Sequence, residues 1–125
     1  MSGIIIVQSR EQLEEMLQQS HSRPLFLYKH SSNCGSSRVA STTLHHFISR
    51  FKDVSQHFNF IIIRVIEDKP LSLLVTEEFN IPHVSPQLML IKDRTVIWHV
   101  SHQQINTANM YNTAVQFLQQ PRLWL

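Results

Sequence analysis

The chain has 125 residues with two glycines, five prolines and one cysteine, and 42% of it is apolar against 16% charged. That composition suits one globular domain with a real core and argues against disorder. No apolar run approaches the length of a membrane-spanning helix, and a net charge of +2 is too small to argue for nucleic acid. The lone cysteine excludes an internal disulfide, a CxxC redox pair and a Cys-rich zinc site. A single domain over residues 1–125 is expected. Ile4–Val7 is too short for a signal-peptide core and has no basic segment before it, so a reducing cytosol is the expected compartment.

In chain order, Ile4–Val7 reads as a short strand. Ser9 and Gln12 form a capping-box pattern ahead of Leu13, Met16 and Leu17 at helical spacing. Pro24 ends that helix. Leu25–His30 is a compact apolar run with aromatic character and is expected to be a buried strand. A polar loop, Ser31-Ser32-Asn33, leads into a helix from about Cys34, with Ala40, Leu44, Phe47, Ile48 and Phe51 on one face. Phe60–Ile66 is a β-branched run broken only by Arg64, which predicts a central strand covered on both sides. Asp68 and Pro70 open the next helix, with Leu71, Leu74, Val75 and Phe79 inward. The segment Ile81–Pro86 holds two prolines and cannot be helical. Leu88–Ile91 and Val96–Val100 flank Lys92-Asp93-Arg94-Thr95 as a hairpin. Asn106 caps a last helix, whose inward face is expected to be Ala108, Tyr111, Ala114, Val115 and Leu118.

The resulting order is β-α-β-α-β-α-β-β-α. A right-handed parallel crossover followed by an antiparallel hairpin places these elements in one mixed sheet with helices on both faces. An α/β chain in that order resembles the thioredoxin fold with its additional N-terminal strand and helix.

Cys34 follows a strand and a polar loop and opens a helix. Unpaired amides and the helix dipole at that point favour an anion such as a thiolate. Asn33 is the expected N-cap, and Ser36 and Ser37 place hydroxyls within one turn. Ser37, three residues on, is expected to face back toward the sulfur. A free cysteine is otherwise most often a small core residue, but the neighbours His30, Ser31, Ser32, Asn33, Gly35, Ser36 and Ser37 are too polar for a core. From Met16 to Lys52 there is no acidic residue, while Arg23, Lys29, Arg38, Arg50 and Lys52 fall within that span. Pro86 stands just before a strand, where proline is tolerated. In a thioredoxin fold a cis-proline at this place lies beside the cysteine, and the Ser85 backbone can pair with an extended ligand.

Three blocks carry a closer resemblance. Lys29-His30-Ser31-Ser32-Asn33-Cys34-Gly35-Ser36-Ser37, then His83-Val84-Ser85-Pro86-Gln87, then Trp98-His99-Val100-Ser101-His102 resemble the YtxJ family of monothiol bacilliredoxins, in that family's order and over nearly the whole chain. The family commonly has Thr-Cys-Pro-Ile-Ser where this chain has Asn33-Cys34-Gly35-Ser36-Ser37, a Glu where Val84 stands and a glycine where Arg94 stands. The resemblance implies a cytosolic oxidoreductase that removes bacillithiol from mixed disulfides on proteins. Cys34 is then the attacking thiolate and Ser37 its hydrogen-bonding stabiliser. Asn33, Gly35, Ser36, Ser85 and Pro86 shape the groove for the incoming disulfide, and Lys29, His30 and His83 are candidates for tuning the thiol. The co-substrate is bacillithiol or another small thiol, with no other cofactor. The expected partners are S-thiolated proteins and a recycling thiol or reductase, not nucleic acid or membrane.

The eight histidines do not suggest a metal. His45 and His46 diverge on a helix, and His99 and His102 have no carboxylate or cysteine at ligand spacing. Two other readings stay open. Cys34-Gly35-Ser36-Ser37 suggests a monothiol glutaredoxin-like iron–sulfur carrier, although the Gly-Gly turn that glutaredoxins use for glutathione is missing. A non-catalytic thioredoxin-like binding module would make Cys34 incidental. Trp98 is expected to pack in or near the core, and Trp124 either to dock on the body or to remain loose.

Overall fold

The computed structural model describes residues 3–120, so Trp124 lies outside the described residues. Strands β1 (Ile4–Ile6), β2 (Leu25–His30), β3 (Asn59–Arg64), β4 (Gln87–Lys92) and β5 (Thr95–Ser101) form one sheet in the order β1-β3-β2-β4-β5. The pairs β1–β3 and β2–β3 are parallel, whereas β2–β4 and β4–β5 are antiparallel. Among the described residues five α-helices accompany the sheet: α1 (Arg10–Gln19), α2 (Gly35–Arg50), α3 (Lys52–Ser55), α4 (Lys69–Phe79) and α5 (Thr107–Gln119). The expected order is present, with two short additions, α3 and a 3-10 turn at His102–Gln104.

The alternation of each strand sorts its side chains onto two faces. On one face, Phe26, Tyr28, Phe60, Leu88 and Leu90 pack with Ala40, Leu44 and Phe47 of α2 and with Met110 and Ala114 of α5. On the other, Leu25, Leu27, Ile61, Ile63, Met89 and Ile91 pack with Leu13, Met16 and Leu17 of α1 and Leu71 and Val75 of α4. β2 lies between β3 and β4, and every residue from Leu25 to Lys29 is buried. The even residues of β2 therefore look toward α2 and the odd ones toward α1 and α4.

The local signals act where expected. Ser9 accepts from the Gln12 amide at 3.1 Å, and the Gln12 side chain accepts from the Gln8 amide at 2.9 Å. Asn106 accepts from the Asn109 amide at 2.8 Å. The hairpin turns on Asp93 and Arg94 alone, both left-handed at φ 54° and 58°, the geometry that matches strand twist in a two-residue loop. Arg94, at the position where the resembled family has glycine, also forms ion pairs with Glu14 of α1 and Glu78 of α4.

Two expectations are corrected. β3 ends at Arg64 rather than Ile66, because the chain turns there toward Asp68, whose carboxylate accepts from Arg64 Nε at 2.9 Å, and Ile66 is left exposed. On α5, Ala108, Tyr111 and Leu118 are exposed. The buried stripe is Met110 and Ala114 with Val115 and Phe117 partly covered, so the expected Ala114 and Val115 do face inward while the stripe as a whole is rotated toward Met110 and Phe117. Tyr111 instead meets Phe51 at the seam with the α2–α3 corner, with ring centroids 4.9 Å apart.

Phe26 sits at the centre of the aromatic core, its ring 5.0 Å from Phe58, 5.3 Å from Phe60, 6.4 Å from Trp98 and 6.5 Å from Phe47. Phe26→Ala removes those contacts and leaves a cavity that rigid strands cannot close. It is expected to cost about 3–5 kcal/mol, read as a fall in the urea unfolding midpoint at unchanged m-value.

Candidate active site

Cys34 is the N-cap of α2, in extended backbone conformation (φ −117°, ψ 126°), and its sulfur is partly exposed. The expected N-cap, Asn33, lies one residue outside and is solvent-exposed. The shift has a chemical consequence. An N-cap side chain stands beside the first free amides of a helix, so the sulfur sits at the amide end of α2, without making a capping hydrogen bond to them.

The thiol is held below its ordinary pKa. The largest cause is a hydrogen bond with the Ser36 hydroxyl, whose oxygen lies 3.0 Å from Sγ. The backbone amides of Ser37 and Ser36 add to it, partial desolvation opposes it, and the Ser37 hydroxyl contributes least. The expectation gives the stabilising role to Ser37 together with the helix N-terminus. Ser37 contributes, but less than Ser36, and it is fully buried with its hydroxyl accepting from the Ser31 amide at 3.2 Å, closing the 31–34 loop on itself. Cys34 N–H donates to Ser31 O at 3.2 Å in the same loop.

β2 anchors this helix start from below. The Tyr28 hydroxyl donates to Ser37 O at 2.8 Å, so its second partner at 3.0 Å, His30 Nδ1, must carry a proton and donate to it. Burial holds the Tyr28 phenol well above its usual pKa, so this donor persists across the working range. His30 therefore belongs to the support beneath the helix start, and burial keeps its ring below the ordinary histidine value.

The Ser85–Pro86 peptide bond is cis. Its place follows from the β2–β4 ladder, in which Lys29 pairs with Gln87. The residue entering β4 is thus level with the end of β2, and Ser85 and Pro86 lie at the same sheet end as the 31–34 loop. Pro86 is buried, and the Ser85 hydroxyl is buried without a hydrogen-bond partner. Gly35 is exposed, and a Cβ added there would meet nothing within 4 Å. Space therefore does not require a glycine at 35.

Lys29 and His83 face the other side of the sheet. Lys29 is fully buried, and its Nζ donates to Thr76 Oγ1 at 2.9 Å and to His83 Nδ1 at 3.2 Å. Burial lowers its pKa to about 8. Neither residue is among the groups that shift Cys34. Sequence reading missed Tyr28, Thr76 and Gln87 as supports. Tyr28 and Thr76 read as ordinary strand and helix residues, and only the alternation along β2 pointed Tyr28 toward α2.

These contacts predict a ranking. Ser36→Ala removes the largest favourable hydrogen bond to the thiolate, so the Cys34 pKa rises and iodoacetamide alkylation at neutral pH slows severalfold. Ser37→Ala raises it less and chiefly loosens the 31–34 loop. The alkylation rate against pH measures both. A larger rise in Ser37→Ala than in Ser36→Ala would contradict the geometry.

The fold is shared with thioredoxins of distant sequence. A chain described as an oxidoreductase with a thioredoxin fold superposes with a TM-score of 0.76 at 22% identity, covering 87% of this chain and 91% of that one. A poplar thioredoxin h variant gives 0.75 at 14% identity, over 96% and 87%. A variant thioredoxin from Halobacterium salinarum gives 0.72 at 14%, over 94% and 93%. The sequence profile of the monothiol bacilliredoxin BrxC family matches residues 5–110. That family and this fold together support thiol–disulfide oxidoreductase activity, and with most of its length matched the chain belongs to the monothiol bacilliredoxin family.

Proposed function

We propose that this protein removes bacillithiol from mixed disulfides on cytosolic proteins, with Cys34 as the nucleophile. The observation that carries the reading is the chain's sole cysteine at the N-cap of α2, its sulfur 3.0 Å from the Ser36 hydroxyl and its pKa lowered. The Cys34 thiolate attacks the bacillithiol sulfur of the mixed disulfide. A new S–S bond forms on Cys34, the old one breaks, and the client leaves as a thiolate that takes a proton from water. The client is thereby reduced and Cys34 carries the disulfide. With no second cysteine, a small thiol or a partner reductase attacks that bond and returns Cys34 to the thiolate. Bacillithiol enters as co-substrate, and no other cofactor is required.

Ser85 and Pro86 form one wall for the incoming disulfide, and the exposed Gly35 and Asn33 leave the other side open. Bacillithiol carries carboxylates. The acid-free stretch from Met16 to Lys52, with Arg38 one helical turn past Cys34, presents a favourable field to it.

The experiment uses one client protein loaded with either bacillithiol or glutathione. The wild-type chain is expected to release the first faster and to retain it as a Cys34 adduct detectable by intact mass. Cys34→Ser releases neither. Ser37→Cys creates CxxC spacing at the buried fourth position and is expected to expel the captured thiol without outside help, as an internal disulfide closes. Equal release of glutathione would defeat the bacillithiol assignment. Spontaneous release by wild type as fast as by Ser37→Cys would defeat the one-cysteine mechanism.

A further inference from the structure

Lys29 is a fully buried ammonium, and no carboxylate lies within ion-pair distance of it among the described residues. An unpaired buried cation destabilises a fold, and an apolar side chain of similar length would sit there at lower cost. Its two hydrogen bonds show what it does instead. One goes to Thr76 Oγ1, whose own hydrogen is directed to Ser72 O at 3.3 Å within α4. The other goes to His83 Nδ1. Lysine only donates, so His83 is neutral with its proton on Nε2.

His83 belongs to the segment Ile81–Ser85, which joins α4 to β4 and holds no regular structure. Prolines 82 and 86 lack backbone donors. Among the described residues, residues 81–85 make no backbone hydrogen bond in turns, loops or caps. Beyond the packing of Ile81 on the core, two side-chain hydrogen bonds hold the segment. Lys29 of β2 grips His83, and Gln87 of β4 grips the adjacent carbonyl, its Nε2 donating to Pro82 O at 3.3 Å. Lys29 and Gln87 are register partners across the ladder, on the same face of the sheet.

We propose that Lys29 is a positioning residue for disulfide exchange: through His83 it fastens the segment bearing Ser85 and Pro86 to β2 and α4, and so fixes the wall against which the incoming disulfide lies. The inference rests on the exchange reading above. It assigns Lys29 and His83 a role in substrate binding that does not pass through the acidity of Cys34.

The fastening also depends on pH. His83 accepts only while neutral, and burial and then the Lys29 charge hold its pKa below the ordinary value. The groups facing this contact are Lys29 from β2, Thr76 from α4 and Gln87 from β4, with no carboxylate among them. As pH falls through the His83 pKa the bond is lost and two cations face each other. Above about 8 the Lys29 amine is neutral but still carries an N–H to donate, so the acid side is the sensitive one.

The test measures two rates on each variant: exchange with a bacillithiol-loaded client, and alkylation by iodoacetamide. Both scale with the thiolate fraction, so their ratio cancels the titration of Cys34. Lys29→Met is expected to lower that ratio about tenfold, mainly through KM, with alkylation unchanged and no fall in the urea midpoint. His83→Ala, at an exposed position, lowers it similarly, and combining the two adds little. His83→Asn keeps an acceptor near the Nδ1 position and stays within about twofold of wild type. In wild type the ratio falls on acidification, and in His83→Asn it stays flat. A Lys29→Met protein that folds and keeps the wild-type ratio overturns the proposal, as does one whose alkylation falls in step with exchange. A wild-type chain that exchanges no mixed disulfide overturns the functional reading instead. The fastening is then decided by amide hydrogen exchange at residues 83–85, which must accelerate in Lys29→Met.

Discussion

The antiparallel ladder between β2 and β4 sets where everything reactive sits. With Lys29 opposite Gln87, the chain leaving β2 and the chain entering β4 emerge at the same end of the sheet. The first of these holds the 31–34 loop and Cys34, and the second holds Ser85 and Pro86. A slip of one residue would exchange the two faces of β2. Tyr28 would then lose Ser37, and Lys29 would turn away from Thr76 and His83. β2 can specify this register because it is buried on both faces, and each face demands its own set of side chains: Phe26 and Tyr28 toward α2, Leu25 and Leu27 toward α1 and α4.

The same ladder explains why the thiol is acidic without an adjacent cation. Arg38 lies along α2 and Lys29 beneath the sheet, yet neither appears among the causes that shift Cys34. What lowers the thiol pKa is chiefly the Ser36 hydroxyl 3.0 Å away, with smaller contributions from the Ser37 and Ser36 amides and the Ser37 hydroxyl, all in the first turn of α2. Short hydrogen bonds of this kind are screened by salt far less than charges separated by solvent. They also depend on the helix start being held still, which is the work of the Tyr28–Ser37 and Ser31–Ser37 bonds.

Much of this arrangement was legible in the sequence where one local signal decides an element. The Ser9 and Asn106 caps, the prolines that bar helix at 82 and 86, and the apolar run of β2 each act over a few residues. The rotation of α5 was not legible, because both Ala108–Tyr111–Ala114–Val115–Leu118 and Met110–Ala114–Phe117 are apolar stripes at helical spacing. Only the surface presented by α2 and the sheet chooses between them. At the site, the position of Cys34 could be read from a strand, a polar loop and a helix in succession. The partition between Ser36 and Ser37 could not. It depends on Cys34 being the cap itself rather than the first residue inside the helix. A difference of one residue rotates the following serines by about 100°, which carries Ser37 into the interior and leaves Ser36 beside the sulfur.

That rotation bears on why one cysteine suffices. The fourth position of the motif is where a two-cysteine protein would place its resolving thiol. Here it holds a buried serine whose hydroxyl takes the Ser31 amide and whose carbonyl takes Tyr28. A buried hydroxyl with those duties cannot attack a disulfide on Cys34, nor is oxygen a competent nucleophile toward sulfur here. In the proposed mechanism the captured thiol therefore stays until another thiol arrives from outside. That second thiol must approach an adduct lying between the start of α2 and the segment before β4. On the proposed cycle the shape of that segment would thus matter twice, once for capture and once for release, and side chains from β2 and β4 grip it beside the packing of Ile81 on the core.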